Sequence, residues 1–545
     1  MTNAEIADRL DAFATLLELG EANPYSQRAY RRAADTVRAS AAPVDELVRS
    51  GRVRKLRGIG ASIEAKLREL VETGAIAELD ELERELAPGL VGYGRYLGIG
   101  ARRSIELARA LGVRTVDELR AAAAEGRLQD VPGVGPKTEA RLRAALAGPV
   151  EPQGEAVVNL NRARELVVAI AAALGGHPAG DVRRWADAPR RLAVVCAAAD
   201  PAEVLERFAG LPQLVALVER EQRRALGVTV EGVPVEVVAA APERLGTELV
   251  RATGAPAYVA ALEPLPAGAT EEAVYAALGV PWCPPELREA PWRGEPPPLV
   301  GLDDVRGDQH CHTTWSDGRA SVEEMGRAAI ARGYEYLAIC DHTPAVGAVR
   351  GLSPDDVRRQ GEEVAAANAA LAPFRVLRGI ECDILPDGGL DLPDDVLAEL
   401  DWVQASVHGG QRMPRREMTA RVQAALEHPS VCCLSHPTGR MLGRRPENAL
   451  DLERVYALAL ELGVALEVNG LPDRLDLSGD HVREAIAAGV AITCSTDAHS
   501  TAGLGNMPNA VATARRGGAT AADVLNTRPL DLLLARRRAP GRPAG

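Results

Sequence analysis

The sequence predicts a multidomain α/β protein: all-α modules in front, a mixed α+β domain in the middle, and a parallel β/α barrel at the C-terminus. Three observations carry this prediction. Apolar residues recur at helical spacing through the first 147 residues, interrupted by repeated Gly–apolar–Gly turns. From about 305 to 540, strand-like apolar runs alternate with amphipathic helical stretches, the pattern of a parallel sheet. Most of those runs close on a histidine or a carboxylate: YEYLAICDH, FRVLRGIECD, WVQASVH, VCCLSHP, VAITCSTDAH. In a parallel barrel, such strand ends share one face.

A length of 545 residues suggests three or four domains. The net charge of −13 argues against a globally basic nucleic-acid binder. Residues 1–150 are close to neutral, so local binding is still open there. No apolar run reaches the eighteen residues a membrane span needs. The start, MTNAEIADRLDAF, carries acids and reads as an amphipathic helix, not a signal peptide. Eight cysteines without CxxC spacing read as reduced core residues of a cytoplasmic protein.

Taking the chain in order, residues 1–80 and 81–148 form two helical modules. They contain KLRGIGASIEAKLREL (55–70), YLGIGARRSIELARALG (96–112) and VPGVGPKTEARLRAAL (131–146). Each is Gly–apolar–Gly followed by a helix, the helix-hairpin-helix pattern. The pairs are Gly58/Gly60, Gly98/Gly100 and Gly133/Gly135. They allow tight turns whose N–H groups, with the following helix N-terminus, hold a DNA phosphate without reading sequence. The chain has only three lysines, and Lys66 and Lys137 lie in these units.

Residues 284–304, PPELREAPWRGEPPPLVGLDD, are proline-rich and read as a linker. Seven strands follow, near 305–312, 336–341, 374–381, 402–408, 431–436, 464–469 and 490–495. Six of the nine histidines cluster at their ends. His310, His312, Asp317, His342, Glu381, His408, His436, Asp497 and His499 are the candidate metal ligands. Such a set suits Zn, Mn or Fe, and a carboxylate can bridge two ions. His310 and His312 are two apart on a strand and point to one side, with Cys311 opposite.

The order of these parts resembles bacterial family X DNA polymerases: helix-hairpin-helix modules, a nucleotidyltransferase palm (149–283) and a C-terminal PHP domain (305–540). The resemblance implies a distorted (βα)7, TIM-like barrel holding three divalent ions. His310 and His312 would hold the first ion with Glu381 and Asp497. Glu381 would bridge to a second, completed by His408 and His436. Asp317, His342 and His499 would hold the third. Glu381, Asp497, His342 and Arg440 are the candidate catalytic residues. Clustered ions would activate water and clamp phosphate oxygens.

The palm departs from the family pattern. The Gly-Ser-x-Arg-Arg segment reads Gly180-Asp181-Val182-Arg183-Arg184, so Asp181 replaces the serine that meets the triphosphate. The metal-binding pair aligns with Arg191 and Ala193, and the third carboxylate with Glu236. The thumb is cut to a short link, and polymerase activity is expected to be lost. Lys66 aligns with the lysine of lyase domains, but the expected role is a phosphate contact.

The function expected is a DNA-binding, metal-dependent phosphoesterase, a 3′–5′ exonuclease or 3′-end-processing enzyme of DNA repair. Its partner would be duplex, gapped or 3′-ended DNA, bound regardless of sequence, in a bacterial, nucleoid-associated setting. Three alternatives are a gap-filling polymerase with a PHP exonuclease, a small-molecule phosphatase like histidinol phosphatase, and a non-catalytic DNA-end-binding scaffold.

Overall fold

The computed structural model describes residues 1–535, apart from 2, 20–23, 39, 41, 57, 87–89, 91–93, 95–96, 98, 100, 148–157, 212 and 230–232. The chain divides into two compact units, Met1–Val280 and Pro281–Gly545. No helix among the described residues is long and apolar enough to cross a membrane.

In the first unit, helices Asn3–Leu19 and Pro24–Arg38 pair through Ile6, Leu10, Phe13, Tyr30, Ala33 and Val37. Phe13 meets Tyr30 edge-on, with ring centroids 4.8 Å apart. Helix Ala61–Thr73 buries Ile63, Leu67 and Leu70, three and four residues apart, and stops at Gly74 in the left-handed region. The next module contains helix Val116–Ala124, started by a Thr115/Glu118 capping box, and helix Pro136–Ala147.

A five-stranded sheet follows: β1 (His177–Ala179), β2 (Leu192–Ala197), β3 (Leu214–Arg220), β4 (Arg224–Thr229) and β5 (Pro234–Ala240). Its order is β1-β2-β5-β4-β3, with β2 and β5 parallel and the other pairs antiparallel. Val194, Val235, Val237 and Phe208 fill its core. Val218 and Val228 of β3 and β4 pack into the second helical module with Leu119, Leu128 and Leu142.

The link expected in place of a thumb forms two short helices, Pro256–Leu262 and Glu271–Leu278. They are tied to each other by the Tyr258 and Tyr275 hydroxyls, 2.6 Å apart.

In the second unit, seven parallel strands follow one another in sequence order. They are β6 (Gly307–Cys311), β7 (Tyr336–Ile339), β8 (Arg375–Asp383), β9 (Trp402–Ser406), β10 (Cys433–Leu434), β11 (Ala465–Asn469) and β12 (Ile492–Ser495). Period-2 alternation sends Tyr336, Ala338 and Cys340 to one apolar cluster and Leu337 and Ile339 to another. The sheet nearly closes into a barrel. Cys311 bridges Ala498, and the His312 N–H donates to the Ala498 carbonyl at 2.8 Å. Buried Asn526 donates to both the Gly307 and Cys494 carbonyls at 2.7 Å, fastening β6 to β12.

The proline-rich stretch 284–304 is not a free linker. Arg288 is fully buried, and Glu286 pairs with Arg515 at 2.7 Å. Val300 sits in the barrel's apolar core and donates its N–H to Ala519 at 2.9 Å. Proline favours an extended backbone without dictating whether that backbone is packed, so composition alone misled here.

Candidate metal centre

The nine predicted donors meet at the C-terminal ends of the barrel strands. His310 and His312 are fully buried, and their Nε2 atoms face each other at 3.1 Å. Cys311, between them, packs on the opposite side with Leu337 and Ile339. Glu381, at the end of β8, is the hub. Its Oε2 lies 2.9 Å from His342 Nδ1, 3.5 Å from His310 Nε2 and 3.7 Å from His312 Nε2. Its Oε1 lies 2.8 Å from His436 Nε2 and 3.5 Å from His408 Nε2. Asp497 Oδ1 is 3.0 Å from His312 Nε2, and Asp317 Oδ2 is 3.2 Å from His499 Nε2.

Three groups of donor atoms are close enough to share an ion among the described residues. They are His312, Asp317, His342 and His499; His310, His312 and Asp497; and His342, Glu381 and His408. The groups overlap the expected partition but share His312 and His342 across sites. His436 and Asp497 have φ of +26° and +51°, uncommon for non-glycine residues, and both place ring or carboxylate atoms against the other donors.

Second contacts fix the ring orientations. His310 Nδ1 is 2.6 Å from Glu467 Oε1, His408 Nδ1 is 3.2 Å from Asp383, and His499 Nδ1 is 2.8 Å from the Asp497 carbonyl. With Nδ1 anchored, Nε2 is the atom presented to an ion. Asp341 accepts hydrogen bonds from the Thr313 N–H, the Thr313 hydroxyl and Gln360, and holds the loop that carries Asp317.

The site's charges balance internally. Burial opposes ionisation of Glu381, but His408, His342 and His310 hold its carboxyl well below the usual range. Burial likewise opposes Asp317, yet His499, His312 and His342 bring it to about 2. Burial, with the neighbouring imidazoles of His342 and His499, drives His312 down to about 3. His499 is pushed up to about 9 by Asp317 and Asp497 against its own burial.

Buried His312 Nδ1 and His436 Nδ1 have no hydrogen-bond partner among the described residues. Convergent imidazole nitrogens and ionised carboxylates in a closed pocket are the donor chemistry of Mn, Zn or Fe. The residues therefore fit divalent ions.

The sequence argument missed Glu467. It is fully buried on β11 and also accepts from the Ser435 hydroxyl and the His436 N–H. Its only signal is a carboxylate inside the apolar run ALEVN. Replacing it with glutamine is expected to weaken metal binding by roughly 10–100-fold without removing a ligand, measurable by competition with a chelating dye.

Arg440 is corrected. Its guanidinium donates to the Arg474 carbonyl at 3.0 Å and to the Leu475 carbonyl, so it clamps a loop. Arg474, on that loop, approaches the site instead, 3.6 Å from Asp497 Oδ2. A sequence reveals charge near a ligand but not which arginine the backbone consumes.

The hairpin glycines are placed as their motif requires where they are described. Gly58 and Gly133 have φ of +88° and +77°, and Gly60 and Gly135 lead directly into helices. All four are exposed, as is Lys137. Gly98 and Gly100 lie outside the described residues.

Lys66 is not a free cation. It pairs with Glu78 at 3.0 Å and Glu69 at 3.4 Å. Partial burial lowers its pKa, but the two glutamates more than offset this and raise it, the opposite of what a Schiff-base amine needs.

In the mixed domain, Ala193 and Glu236 are direct neighbours across β2 and β5. Glu236 is paired with Arg224 at 3.0 Å. Asp181 is buried; it binds Arg184 at 2.7 Å and accepts the N–H groups of Arg190 and Arg191 at 2.7 and 2.8 Å. Arg183 makes a two-pronged pair with Glu271, both contacts at 2.8 Å. Among the described residues, the donor groups able to share an ion all lie in the barrel.

Comparison with known proteins agrees with this architecture. Residues 1–76 match a helix-hairpin-helix domain, 97–147 a SAM-like helix-hairpin-helix tandem, and 308–470 the PHP domain. A DNA polymerase/3′-5′ exonuclease PolX of Bacillus subtilis is 32% identical over 97% of this chain and 98% of its own length. The chain belongs to the PolX family.

Shorter relatives match a smaller share of the chain. A probable phosphatase of Acetivibrio thermocellus is 33% identical over 35% of this chain and 78% of its own length. One from Thermoanaerobacter sp. is 28% identical over 40% and 89%. The PolX assignment covers both compact units, so the helical modules, the mixed domain and the barrel are all shared with the family.

Proposed function

We propose that this PolX-family protein is a DNA-binding, metal-dependent phosphoesterase that trims 3′ ends, acting through the barrel and not through the palm. The observation that carries the proposal is an asymmetry. Eight donor residues group closely at the barrel rim and His436 joins them through Glu381, whereas the palm positions aligned with the family's metal carboxylates read Arg191, Ala193 and Glu236, the last paired with Arg224. His310, His312, Asp317, His342, Glu381, His408, His436, Asp497 and His499 would hold up to three divalent ions, Mn, Zn or Fe. Ions so held activate water and stabilise the charge of a phosphodiester undergoing cleavage. Glu467 and Asp383 keep the imidazoles oriented, and Arg474 offers a cation at the rim. The hairpin glycines would grip the DNA backbone regardless of sequence, which suits a nucleoid-associated role in repair.

The test is hydrolysis of 3′- and 5′-labelled gapped DNA with Mn, by the intact protein and by His342→Ala, with primer extension alongside. Cleavage from the 3′ end that His342→Ala abolishes, with no extension product, supports the proposal. Cleavage unchanged in the variant removes it. Extension with dNTP restores the polymerase alternative, and activity on a small phosphate ester but not on DNA favours the phosphatase.

Metal loading is expected to release protons. Burial opposes protonation of His310, but Glu467, Asp497 and Glu381 raise it well above its usual range, and His499 titrates at about 9. His499 therefore carries a proton at neutral pH until an ion displaces it, so affinity should rise from pH 6 towards pH 9. Calorimetric titration with Mn in two buffers of different protonation enthalpy should show about one or more protons released at pH 7.

A further inference from the structure

We propose that the palm loop Trp185–Arg191 binds a single DNA strand without metal. Trp185 has φ +57°, a conformation that bulky residues rarely adopt. It is half-buried, yet it belongs to none of the unit's apolar clusters among the described residues. Instead the Arg164 guanidinium stacks on it, 3.4 Å from the ring centroid. The loop is closed by one side chain. The Trp185 N–H donates to Val182 at 3.2 Å and the Ala186 N–H to the Asp181 carbonyl at 3.0 Å. At the other end, the Asp181 carboxylate takes the N–H groups of Arg190 and Arg191. The aromatic ring and two adjacent arginines thus share one short loop whose backbone is closed by Asp181.

The arginines around this loop divide into two kinds. Arg183, Arg184, Arg224 and Arg251 each have a carboxylate partner in Glu271, Asp181, Glu236 and Glu248. Arg190 and Arg191 have none among the described residues, and Arg190 is exposed. Arg164 covers one face of the indole, so a base would stack against the indole–guanidinium pair while Arg190 and Arg191 take the adjoining phosphates, a sequence-tolerant way to hold a strand. A duplex keeps its base faces stacked internally, so an unpaired template or frayed end is the fitting partner. A nucleoside triphosphate is not, because Arg183 and Arg184 are committed and the Asp181 carboxylate would repel phosphate. A guanidinium needs no divalent ion to hold a phosphate, so the contact should survive chelation.

The test uses the full chain in EDTA, which separates it from the barrel's chemistry. A single-stranded oligodeoxynucleotide carrying 5-iodouracil is photocrosslinked and the modified peptide mapped; affinity is followed by anisotropy across a salt series. Crosslinking within 185–191 is expected. Trp185→Ala should weaken binding about tenfold, with Trp185→Phe largely restoring it. Arg190→Ala with Arg191→Ala should reduce the salt slope by roughly 1.4, the value for two phosphates of a single strand. These arginines reach Asp181 through backbone N–H groups, so alanine keeps the loop closed, and melting temperatures check this. Crosslinks elsewhere with unchanged affinity and slope in folded variants overturn the proposal. So does competition by dTMP as effective as by the strand, or loss of binding on chelation. Hydrolysis by the barrel, assayed separately, can succeed or fail independently.

Discussion

Glu381→Gln is expected to lower metal-dependent hydrolysis on the order of a thousandfold, about 4 kcal/mol of transition-state stabilisation. The reason is position. Among the described residues, Glu381 is the carboxylate within 4 Å of five of the predicted imidazole ligands, through both of its oxygens. Glutamine keeps the shape but presents an amide where an anion is required, so a bridging ligand is lost without opening a cavity. Metal content per chain, measured by mass spectrometry after dialysis, should fall together with the rate. The far-ultraviolet spectrum should be unchanged, because β8 is held by its neighbours on both sides. Full metal content with full activity in this variant would end the assignment of the barrel rim as the active site.

Asp181→Ala is expected to destabilise the first unit by about 3–5 kcal/mol. The substitution deprives buried Arg184 of its carboxylate and leaves the N–H groups of Arg190 and Arg191 without their acceptor. A shift of the urea midpoint with unchanged m-value is the measurement. A change below about 1 kcal/mol would mean the side chain contributes little. Asp181→Ser, which restores the family's residue, should not produce primer extension. Arg183 and Arg184 remain engaged with Glu271 and the Thr253 carbonyl, and Ala193 still offers no ligand.

The barrel and its donors were legible because both are written locally. A run such as VAITCSTDAH states its strand by apolar, β-branched content and its ligands by their place at the end. Seven such runs fell where strands β6 to β12 are found. What was not legible depends on partners remote in sequence. Glu467 matters because it meets His310, 157 positions away. Arg440 was a candidate catalytic residue, but its guanidinium lies on the carbonyls of Arg474 and Leu475. Lys66 was expected to meet a phosphate, but the sequence did not show that Glu78 and Glu69 already flank it. The stretch at 284–304 has a linker's composition, yet Glu286 and Arg288 are buried. Charge pairing and burial of irregular backbone leave no periodic trace in a chain.

The seam between β6 and β12 sets the order in which this barrel can assemble. His310 and His312 lie on the first strand, and Asp497 and His499 just beyond the last, so the His312–Asp497 contact spans 185 positions. Closing a loop of that length costs entropy that strand-by-strand growth postpones to the end. On that ground the coordination sphere is expected to form late in the assembly of the domain. An ion captured there would act as a latch on the finished barrel, raising the barrier to unfolding where the two chain-distant edges meet.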